Sequence, residues 1–151
     1  LEISPLIAQR DLDFGIHTEA APVRAHEWML RELTRNLLHN AVRHAPQGSE
    51  LAVDLRCDAH HTALTISDCG PGIEPELAAR LFQPFSAGDV RSGSGLGLAI
   101  CQEIVQALGG SITLTNRERG TRILGLDAVV RLPLAHHFAS AAHGNPAQLS
   151  E

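Results

Sequence analysis

The sequence contains neither lysine nor tyrosine, and aromatic residues make up only 3% of its 151 positions. Every basic side chain is an arginine, and the arginines are spread along the chain, so the basic stripe and aromatic stacking surface of a nucleic-acid-binding protein are missing. We therefore expect no nucleic-acid partner. No apolar run approaches the length that spans a membrane. The formal charge of -5 and the hydrophobic content of 44% are those of a soluble globular domain.

Cysteine is also scarce, with only Cys57, Cys69 and Cys101 present. The odd number and the lack of a CxxC spacing favour free thiols in a reducing compartment, hence the cytoplasm, over a disulfide framework or a zinc site. The chain begins at Leu1 without a signal-peptide pattern, so we expect it to be a piece of a longer protein.

Hydrophobic periodicity predicts three helices and about five strands. The helices are expected over residues 25–45, 75–82 and 96–108. The strands are expected at "DLDFGIHT", at the hairpin "ELAVDLRC" and "TALTISD", and at "GGSITLTNR" and "GLDAVVRLPL". This order predicts an α/β fold, one mixed sheet covered on one face by helices, over residues 1–134. Residues 135–151 are expected to form a disordered tail.

Two asparagines, Asn36 and Asn40, stand one turn apart in the first predicted helix, where each is a poor helix former. With Glu32 and Arg43 they fall within an arc of roughly 80° beside the apolar face. One interpretation is a solvated helix edge. The other is a ligand site, in which carboxamide oxygens bind Mg²⁺ shared with nucleotide phosphates while Arg43 contacts a phosphate.

Two glycine-rich segments follow. "SDCGPGIEPE" puts Asp68 at the end of a strand, where its carboxylate can accept from an exocyclic amine such as that of adenine, although a plain turn would have the same composition. "SGSGLGLAI" puts Gly93, Gly95 and Gly97 before a helix, where backbone amides can face a phosphate. It is neither a dinucleotide fingerprint, since no strand precedes it, nor a Walker A loop, since lysine is absent.

The segment "LFQPFSAGDVR" lies between the glycine motifs. We interpret Leu81, Phe82 and Phe85 as hinge and core residues, and residues 86–95 as a mobile lid. Its only cation, Arg91, is expected to reach the terminal phosphate.

In this order and spacing, "ELTRNLLHNAVRHA", "DCGPGI", "LFQPF" and "GSGLGLAI" resemble the N, first glycine, F and second glycine boxes of the GHKL superfamily. The resemblance is strongest to the catalytic ATP-binding domain of bacterial sensor histidine kinases. It implies the two-layer Bergerat-type sandwich, Mg-ATP as the ligand, and transfer of the γ-phosphate to a histidine on a separate dimerisation domain, then to a response regulator. It also implies a parent protein that is a homodimer anchored in the bacterial inner membrane, with this domain in the cytoplasm.

Residue by residue, the resemblance implies that Asn40 is the magnesium ligand, with Asn36 beside it and Arg43 on a phosphate. His44 would lie near the ribose or adenine, and Glu32 would have a supporting role. The residues implied at the adenine are Asp68, Gly70, Gly72 and Ile73. Those implied at the phosphates are Arg91, Gly93, Gly95, Leu96 and Gly97.

ATP-hydrolysing relatives in this superfamily carry a glutamate where this chain has Asn36. An amide cannot act as a general base, so the sequence favours phosphotransfer over hydrolysis. None of the nine histidines lies in an acceptor motif, so the chain by itself is expected not to autophosphorylate. A GHKL ATPase or a nucleotide-switched interaction module is the alternative.

The chain departs from the family pattern near its end, where "ERGTRILGLDAVVRLPL" is longer than usual. Either Gly120-Thr121 or Gly125-Leu126 can be the last turn. We favour Gly125-Leu126, because "GLDAVVRLPL" then runs at strand period to the closing Leu-Pro. An adenine-side role for Thr121 is then not expected.

Overall fold

The computed structural model describes residues 4–83 and 97–135. The helices are α1 Ser4–Gln9, α2 Glu27–His44, α3 Pro75–Arg80 and α4 Gly97–Ala107, and the strands are β1 Asp13–His17, β2 Glu50–Cys57, β3 His61–Asp68, β4 Ser111–Arg119 and β5 Arg122–Pro133. Within those ranges no helix is both long and apolar enough to cross a membrane. The three cysteines are free thiols.

The strands form one mixed sheet in the order β1-β2-β3-β5-β4. β1 runs parallel to β2, and the other neighbours are antiparallel. Val53 on β2 lies opposite Ile66 on β3, and both are buried under α2 and α4. Residues on the other side of the sheet, such as Ala52 and Thr113, are exposed. The predicted α/β sandwich with helices on one face is therefore confirmed.

α2 is the central helix of the covered face. Its apolar stripe buries Leu33, Leu37, Leu38, Ala41 and Val42, and each fully buried leucine contributes roughly 1.5–3 kcal/mol. The helix ends at His44 because the residue before a proline is excluded from helical geometry, which leaves Ala45 extended. This stop positions the last turn of α2 beside the loop that follows β3.

Periodicity did not predict α1, which is only 6 residues long and therefore too short to show a helical pattern. Its Leu6 and Ile7 pack against the core. The predicted first strand exists, and Leu12, Phe14 and Ile16 alternate towards one face as its period predicts, but only part of that face is covered, because β1 is an edge strand. Phe14 is half-buried, whereas Ile16 is 64% exposed.

The predicted last turn at Gly125-Leu126 is wrong. β4 and β5 are joined by the two residues Gly120 and Thr121, and Arg119 pairs with Arg122. The strand period that runs from Gly125 to the closing Leu-Pro does not require a turn at its first residue, because a glycine can also mark an irregularity within a strand. Here β5 continues through Gly125, and the register between β4 and β5 shifts next to Arg117.

Several predictions fall outside the described residues. These are Phe85, the lid over 86–95 with Arg91, and nearly all of the C-terminal tail. The last described backbone bonds run from the Leu134 amide to the His60 carbonyl and from the Ala135 amide to the Pro22 carbonyl. The domain boundary at 134 stays a prediction.

Candidate functional site

A cavity of about 450 Å³ opens beside the last turns of α2, between the loop after β3 and the side chains of Leu114 on β4 and Leu126 on β5. Its volume is that of a small-molecule site, and its lining combines apolar side chains with a few polar groups. The lining residues are Asn40, His44, Asp68, Pro71, Gly72, Ile73, Glu74, Leu77, Leu81, Leu98, Leu114 and Leu126.

Asp68 is the buried acid of this cavity. It ends β3 with only 3% of its surface exposed, and its Oδ1 accepts the Gly70 amide at 2.8 Å. Burial raises the pKa of Asp68, while the amides of Gly70 and Leu126 oppose that rise. Because the carboxylate is buried, few water molecules can compete for its oxygens. It is therefore suited to accept a hydrogen bond from an amino group of a ligand.

The two glycines of the loop are needed for different reasons. A Cβ on Gly70 would lie 2.6 Å from the carbonyl oxygen of His44, so this glycine lets the loop pass against the end of α2. Gly72 has φ of +75°, and a Cβ there would lie 2.6 Å from Oδ1 of Asn116. Gly70 thus lets the loop approach α2, and Gly72 lets it approach β4 and β5.

The polar side chains on this side of α2 fall into two groups, those that line the cavity and those that do not. Asn40 and His44, one turn apart, line the cavity. Asn36 donates through Nδ2 to the Glu32 carbonyl at 2.8 Å and more weakly to Glu32 Oε2 at 3.5 Å. The Glu32 carboxylate is also paired with Arg35 at 2.8 Å. The described lining residues do not include Glu32, Asn36 or Arg43.

His44 borders the cavity although much of its surface is exposed. Partial burial lowers its pKa, Asp68 opposes this, and Arg43 and Arg10 lower the pKa further. The imidazole next to the cavity is therefore biased towards its neutral form at neutral pH.

The structure thus brings together five residues predicted from the sequence: Asn40, His44, Asp68, Gly72 and Ile73. Gly70 supports them, and Gly97 begins α4, whose next residue lines the cavity. Arg91, Gly93, Gly95 and Leu96 lie outside the described residues. Leu81 and Phe82 pack against the core, as expected of the F box.

Sequence reasoning missed two residues of β4. Asn116 bonds both backbone groups of Ile73, and Arg117 donates to the Asp68 carbonyl at 2.7 Å. A signal existed for Asn116, since it follows Ile112 and Leu114 at an inward position where strand period predicts an apolar residue.

The side chains around the cavity fit a magnesium ion better than a metal ion that is ligated by protein side chains alone. Over residues 4–83 and 97–135 no group of three or more His, Cys, Asp or Glu side chains could hold an ion. Mg²⁺ typically takes only one or two protein ligands and completes its shell with water and phosphate oxygens. The Asn40 side chain suits that arrangement.

Residues 25–136 match the family described as Histidine kinase-, DNA gyrase B-, and HSP90-like ATPase. The chain belongs to this family. It is 43% identical over 115 residues to the sensor protein QseC of Escherichia coli strain K12, an alignment that covers 75% of this chain and 25% of QseC. The chain thus spans about a quarter of the length of that relative.

Solved structures agree with the sequence relatives. The mycobacterial sensor histidine kinase MprB superposes with a TM-score of 0.76 at 30% identity, covering 87% of this chain and 90% of that one. Full-length ShkA in complex with AMPPNP superposes with a TM-score of 0.76 at 25% identity, covering 89% of this chain and 28% of that one. The relatives of this chain are therefore sensor histidine kinases, and the chain resembles their catalytic domain.

Proposed function

We propose that this chain binds Mg-ATP and supplies the γ-phosphate to a histidine on a separate dimerisation domain of its parent protein. The observation that carries the proposal is the convergence of Asn40, His44, Asp68 and Ile73 on one cavity in a member of this ATPase family. The phosphohistidine would then pass its phosphate to the aspartate of a response regulator in a two-component system.

Asp68 is proposed to recognise the adenine. Its buried carboxylate accepts a hydrogen bond from the exocyclic amine, while Ile73, Leu114 and Leu126 provide apolar surface for the ring. A hydrogen bond to a charged group is worth about 1.5–3 kcal/mol. This bond selects against bases that lack an amine at that position.

Asn40 is proposed to be the residue that would hold Mg²⁺, through its amide oxygen. The ion supplies neutralisation of charge on the phosphates when it is bound. Arg43 and Arg91 are proposed to contact phosphates, with Gly93, Gly95, Leu96 and Gly97 around them.

The proposal of transfer over hydrolysis rests on α2. Asn36 carries no proton-accepting carboxylate, and Glu32, one turn before it on α2, is bonded to Arg35 and Asn36. A carboxylate that already accepts hydrogen bonds from two neighbours is a poor base for activating water. The parent is proposed to be a membrane-anchored homodimer with this domain on the cytoplasmic side.

Phosphorus NMR of Mg-ATP with a stoichiometric amount of the chain tests binding and hydrolysis in one sample. Shifted or broadened ATP resonances that remain ATP for hours are expected. Steady growth of ADP would instead support the ATPase alternative. Unperturbed ATP resonances would contradict nucleotide binding and favour an interaction module.

Transfer needs a second experiment with the acceptor present. The chain is mixed with a dimerisation domain that carries the acceptor histidine and with γ-labelled ATP. Label on the acceptor that is lost when that histidine is replaced by glutamine supports the proposal. Stable label on a histidine of this chain alone would contradict it.

A further inference from the structure

Asn116 holds the loop after β3 by a two-way contact with one residue. The Ile73 amide donates to Asn116 Oδ1 at 2.8 Å, and Asn116 Nδ2 donates to the Ile73 carbonyl at 2.7 Å. The two residues are 43 positions apart in the chain. Both backbone groups of Ile73 are therefore satisfied by a single side chain, as in the pairing of two strands.

The residue before Ile73 packs closely against the same asparagine. A Cβ on Gly72 would lie 2.6 Å from Oδ1 of Asn116 and 2.7 Å from Cγ2 of Ile123, so the loop approaches β4 and β5 too closely for a larger residue. Ile73 is itself half-buried and lines the cavity, whereas Asn116 is not among the described lining residues. Any effect of Asn116 on a ligand must therefore act through Ile73 and its loop.

The neighbouring residue, Arg117, holds the other end of the same segment. Its Nη2 donates to the Asp68 carbonyl at 2.7 Å, and its Nη1 donates to the Leu126 carbonyl at 3.3 Å and to the Asp127 carboxylate. Because successive side chains of a strand point to opposite faces, β4 reaches the loop from both sides of the sheet. The segment from Asp68 to Ile73 is thus anchored at both ends by one strand.

From this geometry we infer that Asn116 is a positioning residue of the nucleotide site. It holds the apolar side chain of Ile73 in the wall of the cavity that also contains the buried Asp68 carboxylate, where a planar base would pack. The inference rests on the proposed function, because it assigns a role to Asn116 in binding the same nucleotide. Preorganisation of this kind lowers the ordering cost of binding without any contact to the ligand.

The first test compares Asn116→Ala with Thr115→Ala, a matched control on the exposed face of the same strand. Affinity for Mg-AMPPNP is measured by calorimetry, and exchange of the Ile73 amide by NMR. We expect Asn116→Ala to lose about tenfold in affinity, because the released loop must then be ordered when the ligand binds, and to exchange the Ile73 amide faster. Thr115→Ala is expected to change neither.

A second variant keeps the test valid if Asn116→Ala does not fold. Asn116→Asp preserves size and the acceptor for the Ile73 amide but lacks the donor for its carbonyl, so affinity is expected between those of the wild type and Asn116→Ala. Thr115→Asp controls for the added charge. This rescue separates positioning from packing, because both variants remove the same donor but only one keeps the amide bond.

The outcomes separate the two proposals. A folded Asn116→Ala chain that binds Mg-AMPPNP as tightly as the wild type would overturn the positioning role and leave the proposed function intact. Equal affinity for Asn116→Asp and wild type, beyond the effect of Thr115→Asp, would overturn the need for the second bond. Failure of the wild type itself to bind Mg-AMPPNP would overturn both proposals.

Discussion

Gly125 passes directly against the backbone of Asp68: a Cβ built on Gly125 would lie 1.9 Å from the Asp68 carbonyl oxygen. The same Cβ would lie 2.5 Å from Nη2 of Arg117, which donates to that carbonyl. No side chain fits there without moving the strand that ends at Asp68. The position of the proposed adenine acceptor therefore depends on the absence of a side chain on the neighbouring strand.

Gly125→Ala is expected to destabilise the fold and weaken nucleotide binding together. Overpacking typically costs about 1–3 kcal/mol, and here the displaced atoms belong to the backbone of Asp68. Urea unfolding and Mg-AMPPNP calorimetry measure the two effects. Gly15→Ala is the matched control, because nothing lies within 4 Å of a Cβ on that strand glycine. Wild-type affinity in a less stable Gly125→Ala chain would separate Gly125 from the site.

Asp68→Asn is expected to lower affinity for Mg-AMPPNP by roughly tenfold to a hundredfold, since a charge-assisted bond of about 1.5–3 kcal/mol is lost. The raised pKa of Asp68 also makes a prediction for stability. The folded state binds this proton more tightly, so that contribution is present below the unfolded pKa and is lost as pH rises through the folded pKa.

The Asp68→Asn chain lacks this titration. Its stability relative to the wild type is therefore expected to improve as pH rises from the unfolded pKa of Asp, about 3.9, towards neutrality. Urea unfolding at several pH values measures the difference. A difference that is constant across that range would contradict a raised pKa for Asp68.

Much of the site was predictable because its features depend on residues that are close together in the sequence. The apolar stripe of α2 and the stop at Pro46 fix the helix, and one helical turn separates Asn40 from His44. The strand of alternating residues ending at Asp68, followed by Gly70 and Gly72, predicts the acid and its turn. These features depend on residues only a few positions apart.

The parts that were missed depend on pairing across long separations. Nothing near Asn116 indicates that Ile73, 43 positions away, is its partner. Likewise Gly125 was interpreted as a turn residue, because the strand period of the residues after it suggested that the last strand begins there. Its actual requirement comes from Asp68, which reaches it only through the register of β3 on β5.

Asn40→Ala is expected to reduce affinity for AMPPNP about tenfold when Mg²⁺ is present, a loss of about 1.4 kcal/mol. In EDTA the variant and the wild type are expected to bind alike, because the proposed role of Asn40 requires the ion. His39→Ala, at an exposed neighbouring position of α2, is the matched control. Equal losses with Mg²⁺ and with EDTA would show that Asn40 contacts the nucleotide or shapes the cavity instead.

His44 supplies a prediction about pH, because partial burial lowers its pKa. A base with a lowered folded pKa contributes stability that is present above its unfolded pKa, about 6.5, and is lost as pH falls through the window below it. Stability of the wild type is therefore expected to decline more steeply below that pH than stability of His44→Gln. Because the side chain is partly exposed, solvent screening keeps the effect small.

NMR titration of the His44 imidazole checks the cause directly. The midpoint is expected below about 6.5, and it is expected to fall further in Asp68→Asn, because the Asp68 carboxylate is the group that raises the pKa of His44. An unchanged midpoint in Asp68→Asn would mean that the two groups do not interact across the cavity. A midpoint above the ordinary histidine value would contradict burial as the dominant influence and make His44 a cation at the site, able to bind a phosphate by charge.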